Sequence, residues 1–338
     1  MPKTRILILA ATAAIISITL YCLRSKHDSR HSGLPIIAIA NYGSHPTLDA
    51  SISGLKRYLA ECGFVENKTI RYKILDVGFD KSLIPHMLSK LLDLSPRIIV
   101  LKSTPVAQVA NAKIHDIPLV YCDVSDPVGA GLIAEVGQSG ENITGSSDLA
   151  DLVPLLVFAK RLIPSAKVVG MLYSISDASD ASLVKRMNAA AERVGLQVVA
   201  VSITQAKDIP ARMREFEGHA DFIYVGTSGP IQPVLPTIVA ESYRMNIPVF
   251  NAGDQAVREG LALASFGVNY EAVGRNAGKL VVQLLNGVRA KDLRPIYPAP
   301  GDHQCFVNDE VAKRFKLRVP FDPTIRRSSN HFAIKTPQ

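Results

Sequence analysis

From residue 34 onward the chain switches between short apolar runs and segments of helical spacing, and this beat limits the possible folds more than any other feature. Residues 34–40 (LPIIAIA) form a continuous apolar run that stops at Asn41-Tyr42-Gly43, the signature of a strand buried on both faces. Residues 46–61 place Leu48, Ile52, Leu55 and Leu59 on one helical stripe. Strands at 70–77, 97–101 and 119–124 follow, with a helix at 81–92 before the second of them. Another helix is opened by Thr104-Pro105, with Thr104 as N-cap and Pro105 as its first residue. Strands separated by helices rather than by tight turns pair in parallel, with helices covering both faces of the sheet.

The alternation then restarts. Helices at 152–162, 179–194, 209–216 and 231–245 are interleaved with strands at 167–173, 197–203, 222–225, 248–251 and 261–268. A last helix at 271–285 ends at Asn286-Gly287. The expected fold is therefore α/β, with two doubly wound, mostly parallel-sheet lobes joined by a hinge. A chain of 338 residues suits two lobes of about 130–150 residues each. The first lobe is expected to take residues 34–146 and 270–298, and the second 147–269 and 299–320. Hinge crossings are expected near 144–148, 265–270 and 295–300, and residues 321–338 read as a loosely packed polar tail.

The N-terminus stands apart. Residues 6–23 (ILILAATAAIISITLYCL) are uncharged, preceded by Lys3 and Arg5 and followed by Arg24, Lys26 and Arg30. A basic start and an apolar run mark an export signal or membrane-anchor segment over 1–30, expected to be a hydrophobic helix. Cleavage, retention and lipidation at Cys22 all stay open, although Tyr21 puts a bulky ring where a lipobox carries a small residue. Export is the expected outcome, which places the body in a periplasmic or extracytoplasmic compartment, held at the membrane.

Charge excludes one class of partner. Of the net +8, residues 1–30 contribute +4 (Lys3, Arg5, Arg24, Lys26 and Arg30 against Asp28), which leaves +4 for the body. No basic run with interleaved aromatics occurs in the body, so no nucleic-acid partner is expected. Cys62, Cys122 and Cys305 are scattered, and the eight histidines show no ligand spacing, so neither a metal nor a disulfide framework is expected. No G-x-G-x-x-G follows the first strand and no G-x-S-x-G elbow is present, so no cofactor and no catalytic set is assigned.

Function then rests on the loops at the strand ends, because ligands of open parallel sheets sit beyond the carboxyl ends of the strands. Six such loops carry small polar residues. They contain Asn41-Tyr42, Ser103-Thr104, Asp123 to Gly131 with Ser125, Tyr173 to Asp177, Thr227-Ser228, and Asn251 to Asp254. Turn chemistry and helix capping account for each loop taken alone. Six in corresponding positions converge on one cleft if the two-lobe reading holds.

These loops also carry a resemblance that runs from about residue 35 to 317. Ile117-Pro118-Leu119-Val120-Tyr121, Asp126-Pro127-Val128-Gly129-Ala130-Gly131 and Asn142-Ile143-Thr144-Gly145 form its most specific part. Ser103-Thr104-Pro105, Val168 to Tyr173 with Asp177, and Ile247 to Phe250 with Asp254 extend it. With these motifs the chain resembles the ABC transporter substrate-binding proteins of the tryptophan/tyrosine-binding type, a branch of the type I periplasmic binding proteins. The chain departs from that pattern at Ser174 and Ser179-Asp180, and at Thr227-Ser228-Gly229, where the family often carries an acidic residue.

The resemblance implies a receptor that delivers a small molecule, an amino acid or similar, to an ABC transporter permease, by binding it between two closing lobes. The expected ligand contacts are Asn41, Tyr42, Ser103, Thr104, Ser125, Asp148, Tyr173, Asp177, Thr227, Ser228 and Asp254. Thr104 and Ser125 offer hydroxyls and helix N–H groups to a carboxylate, an Asp takes an ammonium, and Tyr42 or Tyr173 stacks on the side group. Asp123 is expected to be satisfied by backbone N–H groups of its own turn. Two other readings stay open: a ligand-sensing module acting in trans on a signalling partner, and a nucleoside-hydrolase-like or racemase-like enzyme.

Overall fold

The computed structural model describes residues 33–330; the N-terminal segment, with the expected hydrophobic helix, and residues 331–338 lie outside the described residues. Two α/β sheets define two lobes. The first has five strands in the order β2-β1-β3-β4-β5, comprising β1 (Ile36–Asn41), β2 (Arg71–Asp76), β3 (Ile98–Lys102), β4 (Leu119–Cys122) and β5 (Ile143–Ser146), all parallel. The interior strands β3 and β4 are wholly buried, as their apolar runs require, while the edge strand β2 exposes Arg71 and Lys73. One face is covered by the helices Ile84–Leu92 and Thr104–Asn111, the other by Pro46–Glu61 and Tyr270–Leu285.

The last of these helices comes from far along the chain and docks by close backbone approach. A Cβ at Gly274 would lie 1.8 Å from the carbonyl oxygen of Ser51, and one at Gly54 would lie 2.1 Å from that of Glu271. Only two glycines facing each other let the helices meet this tightly.

The second sheet has seven strands in the order β12-β11-β10-β9-β8-β6-β7. They are β6 (Val168–Ser174), β7 (Gln197–Ile203), β8 (Phe222–Val225), β9 (Val249–Asn251), β10 (Ala264–Val268), β11 (His303–Asn308) and β12 (Ile325–Ser328). All neighbours are parallel except β10 and β11. Helices Leu152–Leu162 and Ala178–Val194 cover one face, and Ile209–Met213 and Leu235–Met245 the other.

The chain passes between the sheets three times: from Ser146 to Leu152, at Asn269, and from Ile296 to His303. The first and third passages run side by side, with Ser147 N donating to Ile296 O at 2.9 Å and Ile296 N to Gly145 O at 2.9 Å. Among the described residues, no helix is long and apolar enough to cross a membrane.

Several local expectations are corrected. β4 stops at Cys122 because Asp123 turns into the left-handed region at φ 59°. The run at 261–268 becomes a strand only from Ala264, and residues 231–245 open as a 3-10 turn at Gln232–Val234 that accommodates Pro233. The polar tail is not uniformly loose: β12 lies inside it, pairs with β11 and covers what would be an open sheet edge. Ile325 is buried there, and Arg327 forms an ion pair with Asp309 at 2.7 Å. β5, β11 and the short helix Asp309–Arg314 have no counterpart in the pattern reading.

Candidate functional site

The strand ends of the two sheets face each other across a cleft with about 510 Å³ of empty space, part of it open to solvent. The first lobe lines it with Tyr42 and His45 after β1, Phe79 after β2, Ser103 and Thr104 after β3, and Asp123 and Ser125 after β4. The second lobe adds Asp177, Ser179, Thr227, Gly229 and Gln232, and the crossing segments add Asp148 and Tyr270.

The cleft is closed. Ser182 donates its hydroxyl to Asp126 at 2.8 Å across the lobes, and Lys81 donates to the carbonyl of Ser176. Gly229 lies against the rings of Tyr42 and Phe79, which themselves meet edge to face with centroids 5.4 Å apart. Burial pushes the Tyr42 hydroxyl up to about 12, with Asp177 and Asp80 adding to the effect. His45 is held below its ordinary value by burial.

The loop after β3 is bent by Ser103, which sits at φ 75°, so that the helix Thr104–Asn111 starts at the cleft wall. Ser103 occupies the N-cap position and makes no side-chain cap. Thr104 is thus the first helical residue rather than the N-cap that sequence reading assigned.

Beneath this loop lies a buried ion pair. Lys102, at the end of β3, is 1 % exposed and donates to the carboxylate of Asp123 and to the Ser51 hydroxyl. Ser51 in turn donates to Asp123 at 2.8 Å. Burial pulls the Lys102 ammonium down, but Asp123 outweighs it and leaves the group above its ordinary value. The expectation that Asp123 is satisfied by its own turn is thereby corrected. A lysine closing the apolar run RIIVLK was the available signal, since a charge at a parallel strand end is buried only if paired.

Of the sequence-derived candidates, the structure brings Tyr42, Ser103, Thr104, Ser125, Asp148, Asp177 and Thr227 to one cleft. Four others sit elsewhere. Asn41 holds its own turn, its side-chain amide donating to Gly43 O at 2.7 Å. Tyr173 is half-buried on β6 and does not line the cleft. Ser228 is buried and donates to Asp180 at 2.7 Å, and Asp254 is spent on Arg258 at 2.7 Å on the surface. Sequence reading missed His45, Phe79, Gln232 and Tyr270, and it passed over Asp180, although Ser179-Asp180 stood out as a departure from the family pattern.

Asp148 is buried on the first crossing segment, accepting from Ser125 at 2.8 Å and from the Tyr270 hydroxyl at 3.3 Å. Burial, reinforced by the nearby Asp123, pushes its carboxyl up to about 6. Asp180 is buried at the first turn of the helix Ala178–Val194, and burial, reinforced by Asp177, pushes it up to about 7.

A closed cleft between two mostly parallel-sheet lobes, lined by hydroxyls, carboxylates and the rings of Tyr42, Phe79 and Tyr270, defines a small-molecule receptor. Residues 36–323 match the family model for ABC transporter substrate binding proteins, and the chain belongs to that family. It is 28% identical over 282 residues to a tyrosine-binding protein of Clostridioides difficile, spanning 83% of this chain and 81% of that one. It is also similar to an ABC domain from Streptococcus pneumonia in complex with L-Trp, with a TM-score of 0.80, 26% identity and coverage of 85% of this chain and 96% of that one. A ligand-free, open substrate-binding protein with adhesive properties from Clostridium difficile superposes with a TM-score of 0.69 at 29% identity, over 88% of this chain and 100% of that one.

Proposed function

We propose that this protein is an extracytoplasmic receptor that closes around an amino acid with an aromatic side chain and presents it to the permease of an ABC importer. One observation carries the reading: a helix N-terminus at Ser103-Thr104 and an edge-to-face pair, Tyr42 and Phe79, line the same closed cleft. The helix N–H groups, with the hydroxyls of Thr104 and Ser125, suit a carboxylate. The aromatic pair suits a flat apolar side chain. The relatives named for tyrosine and for L-Trp support the same ligand class.

Lobe motion follows from the three passages between the sheets. Residues 34–146 with 270–298 move against 147–269 with 299–320, and the contacts made by Ser182 and Lys81 break as the cleft opens. The uncharged run at 6–23 keeps the receptor at the membrane.

Calorimetric titration of the body with each of the twenty L-amino acids, nucleosides and small carboxylic acids tests the ligand class. L-tyrosine or L-tryptophan is expected to bind most tightly. A nucleoside or a non-aromatic acid binding in their place, with neither aromatic amino acid giving heat, overturns it. Fractionation tests the anchor, which fails if the protein is recovered in the cytosol with Met1 retained.

A further inference from the structure

A second concavity lies on the outer side of the second lobe and shares no lining residue with the inter-lobe cleft. It is a groove with about 1490 Å³ of empty space, part of it open to solvent. Its walls are the first turn of the helix Leu152–Leu162 and the second half of the helix Ala178–Val194, and its floor is β10 and β11. On that floor Phe266 and His303 stack with centroids 5.4 Å apart and an interplanar angle of 21°. The pair forms a flat platform, which suits a ring better than a branched chain.

The charge of the groove is positive. Arg186 and Arg193 line it, one turn or two along the same helix, and neither forms an ion pair among the described residues. Asp151 is the one carboxylate among the lining residues, and its Oδ1 caps the helix Leu152–Leu162 by accepting from Val153 N at 3.0 Å. His303 brings no charge against the cations, since its Nε2 accepts from Asp151 N at 3.4 Å.

Arg186 carries the independent observation. Its Nη1 donates to the Ala150 carbonyl at 3.2 Å, while its Nε is buried and has no partner. Asp148 feels its charge without contacting it. A buried N–H without an acceptor is costly. The free Nε edge of a guanidinium is the edge that a carboxylate grips with two parallel hydrogen bonds.

We propose that this groove is a second ligand site, separate from the inter-lobe cleft, for a small aromatic carboxylate. The acid group takes the Nε edge of Arg186, the ring lies on Phe266 and His303, and Arg193 adds to the attraction from the rim. The remainder of this chain does not fit as the occupant. Thr324 lines the groove at the start of β12, but β12 runs away from it, and Asn330 is held at the far end by Asn308 and by the Arg258 carbonyl. The site is independent of the ligand class assigned to the cleft.

The test is calorimetry on the full-length protein with 3-phenylpropionate, with phenethylamine, which replaces the acid by a cation, and with hexanoate, which lacks the ring. Gly229→Val, which obstructs the cleft against Tyr42 and Phe79, is expected to bind 3-phenylpropionate like the parent. Ala189→Trp fills the groove from an exposed helix position and is expected to weaken that acid by at least about tenfold. Arg186→Lys keeps the charge but loses the forked edge, and a similar loss of about tenfold is expected. Should either variant fail to fold, Arg193→Glu on the exposed rim decides, with an expected loss of about fivefold.

Binding that Gly229→Val abolishes and Ala189→Trp preserves places the acid in the cleft and overturns the inference. Phenethylamine or hexanoate bound as tightly as 3-phenylpropionate overturns it as well, as does an absence of heat from that acid. Sedimentation velocity without any probe examines a second copy of the chain as occupant: a dimer that Ala189→Trp dissociates would overturn the small-molecule assignment.

Discussion

Lys102 and Asp123 form an ion pair with both side chains buried, and the two residues stand at the ends of adjacent strands directly under the cleft. Two strained non-glycine positions belong to it: Asp123 itself, at φ 59°, and Ser103, next to Lys102, at φ 75°. Removing one member leaves a buried charge without its partner, which costs about 3–5 kcal/mol. Lys102→Met is therefore expected to lose about that much stability in urea denaturation. The double variant Lys102→Met/Asp123→Asn is expected to recover a large part of it, since no charge is then left alone. If the double variant is as unstable as the single one, the charge is not the cause.

This pair also shows where sequence reading stops. The strand–helix beat gave the parallel sheets, because a run such as 98–101 is apolar throughout and a helix such as 46–61 carries one apolar stripe. The end of the helix at Val194 was equally readable, while its start lies one residue before the expected 179, with Asp177 as its N-cap. Lys102 meeting Ser51 and Asp123, or Tyr270 meeting Asp148, depends on contacts between residues far apart in the chain. No local pattern encodes such a pairing. β11 and β12 escaped for a related reason: HQCFVN and IRRS have mixed polarity and become strands only because a sheet edge awaits them.

The raised carboxyls of Asp148 and Asp180 give opposite pH dependences for stability and for binding. Asp148 is faced by Asp123, Arg186, Tyr224 and Tyr270, and Asp180 by Asp177 and Lys81. Each folded carboxyl holds its proton more tightly than its unfolded counterpart near 3.8. The stabilising contribution is thus complete below that value and is lost as pH rises through about 6 for Asp148 and about 7 for Asp180. The ligand-free protein is expected to melt lower at about pH 8 than at about pH 5, and Asp148→Asn and Asp180→Asn each flatten that slope. A ligand ammonium held beside either acid would favour its ionised form, so affinity for it is expected to rise across the same window. Scanning calorimetry with and without L-tyrosine checks both signs.

Ser182 and Asp126 hold the lobes together from opposite sides of the cleft at 2.8 Å. The bond exists only when the cleft is closed. Ser182→Ala is expected to weaken ligand by about fivefold, the equivalent of about 1 kcal/mol, with unfolding unchanged. A larger radius of gyration by small-angle scattering in the ligand-free variant would accompany it. Unaltered affinity and unaltered radius would show that the bond does not bias closure.

Gly229 tests closure by volume rather than by bonding. A Cβ there would lie 2.8 Å from Tyr42 and 3.1 Å from Phe79, both on the opposite lobe. The open form relieves the clash, so Gly229→Val is expected to fold and melt like the parent. It is expected to bind L-tyrosine at least about tenfold more weakly, because closure requires the ring pair to give way. A variant that closes and binds normally would mean that the rings move aside at little cost.

Thr104 separates the capping and ligand roles most directly. Were it the helix N-cap, losing its hydroxyl would cost about 1 kcal/mol whatever the protein binds. The structure puts Ser103 in the cap position, with no side-chain cap, and makes Thr104 the first residue of the helix. Its side chain lines the cleft, and no hydrogen bond ties its hydroxyl to the helix among the described residues. Thr104→Ala is then expected to leave the melting temperature of the ligand-free protein nearly unchanged. Affinity for an amino-acid carboxylate is expected to fall by about ten- to a hundredfold, the worth of one hydrogen bond to a charged group. Tyramine, which has no carboxylate, is expected to bind parent and variant alike. If the variant melts lower while L-tyrosine binds as before, the hydroxyl serves the helix after all and the carboxylate lies elsewhere in the cleft.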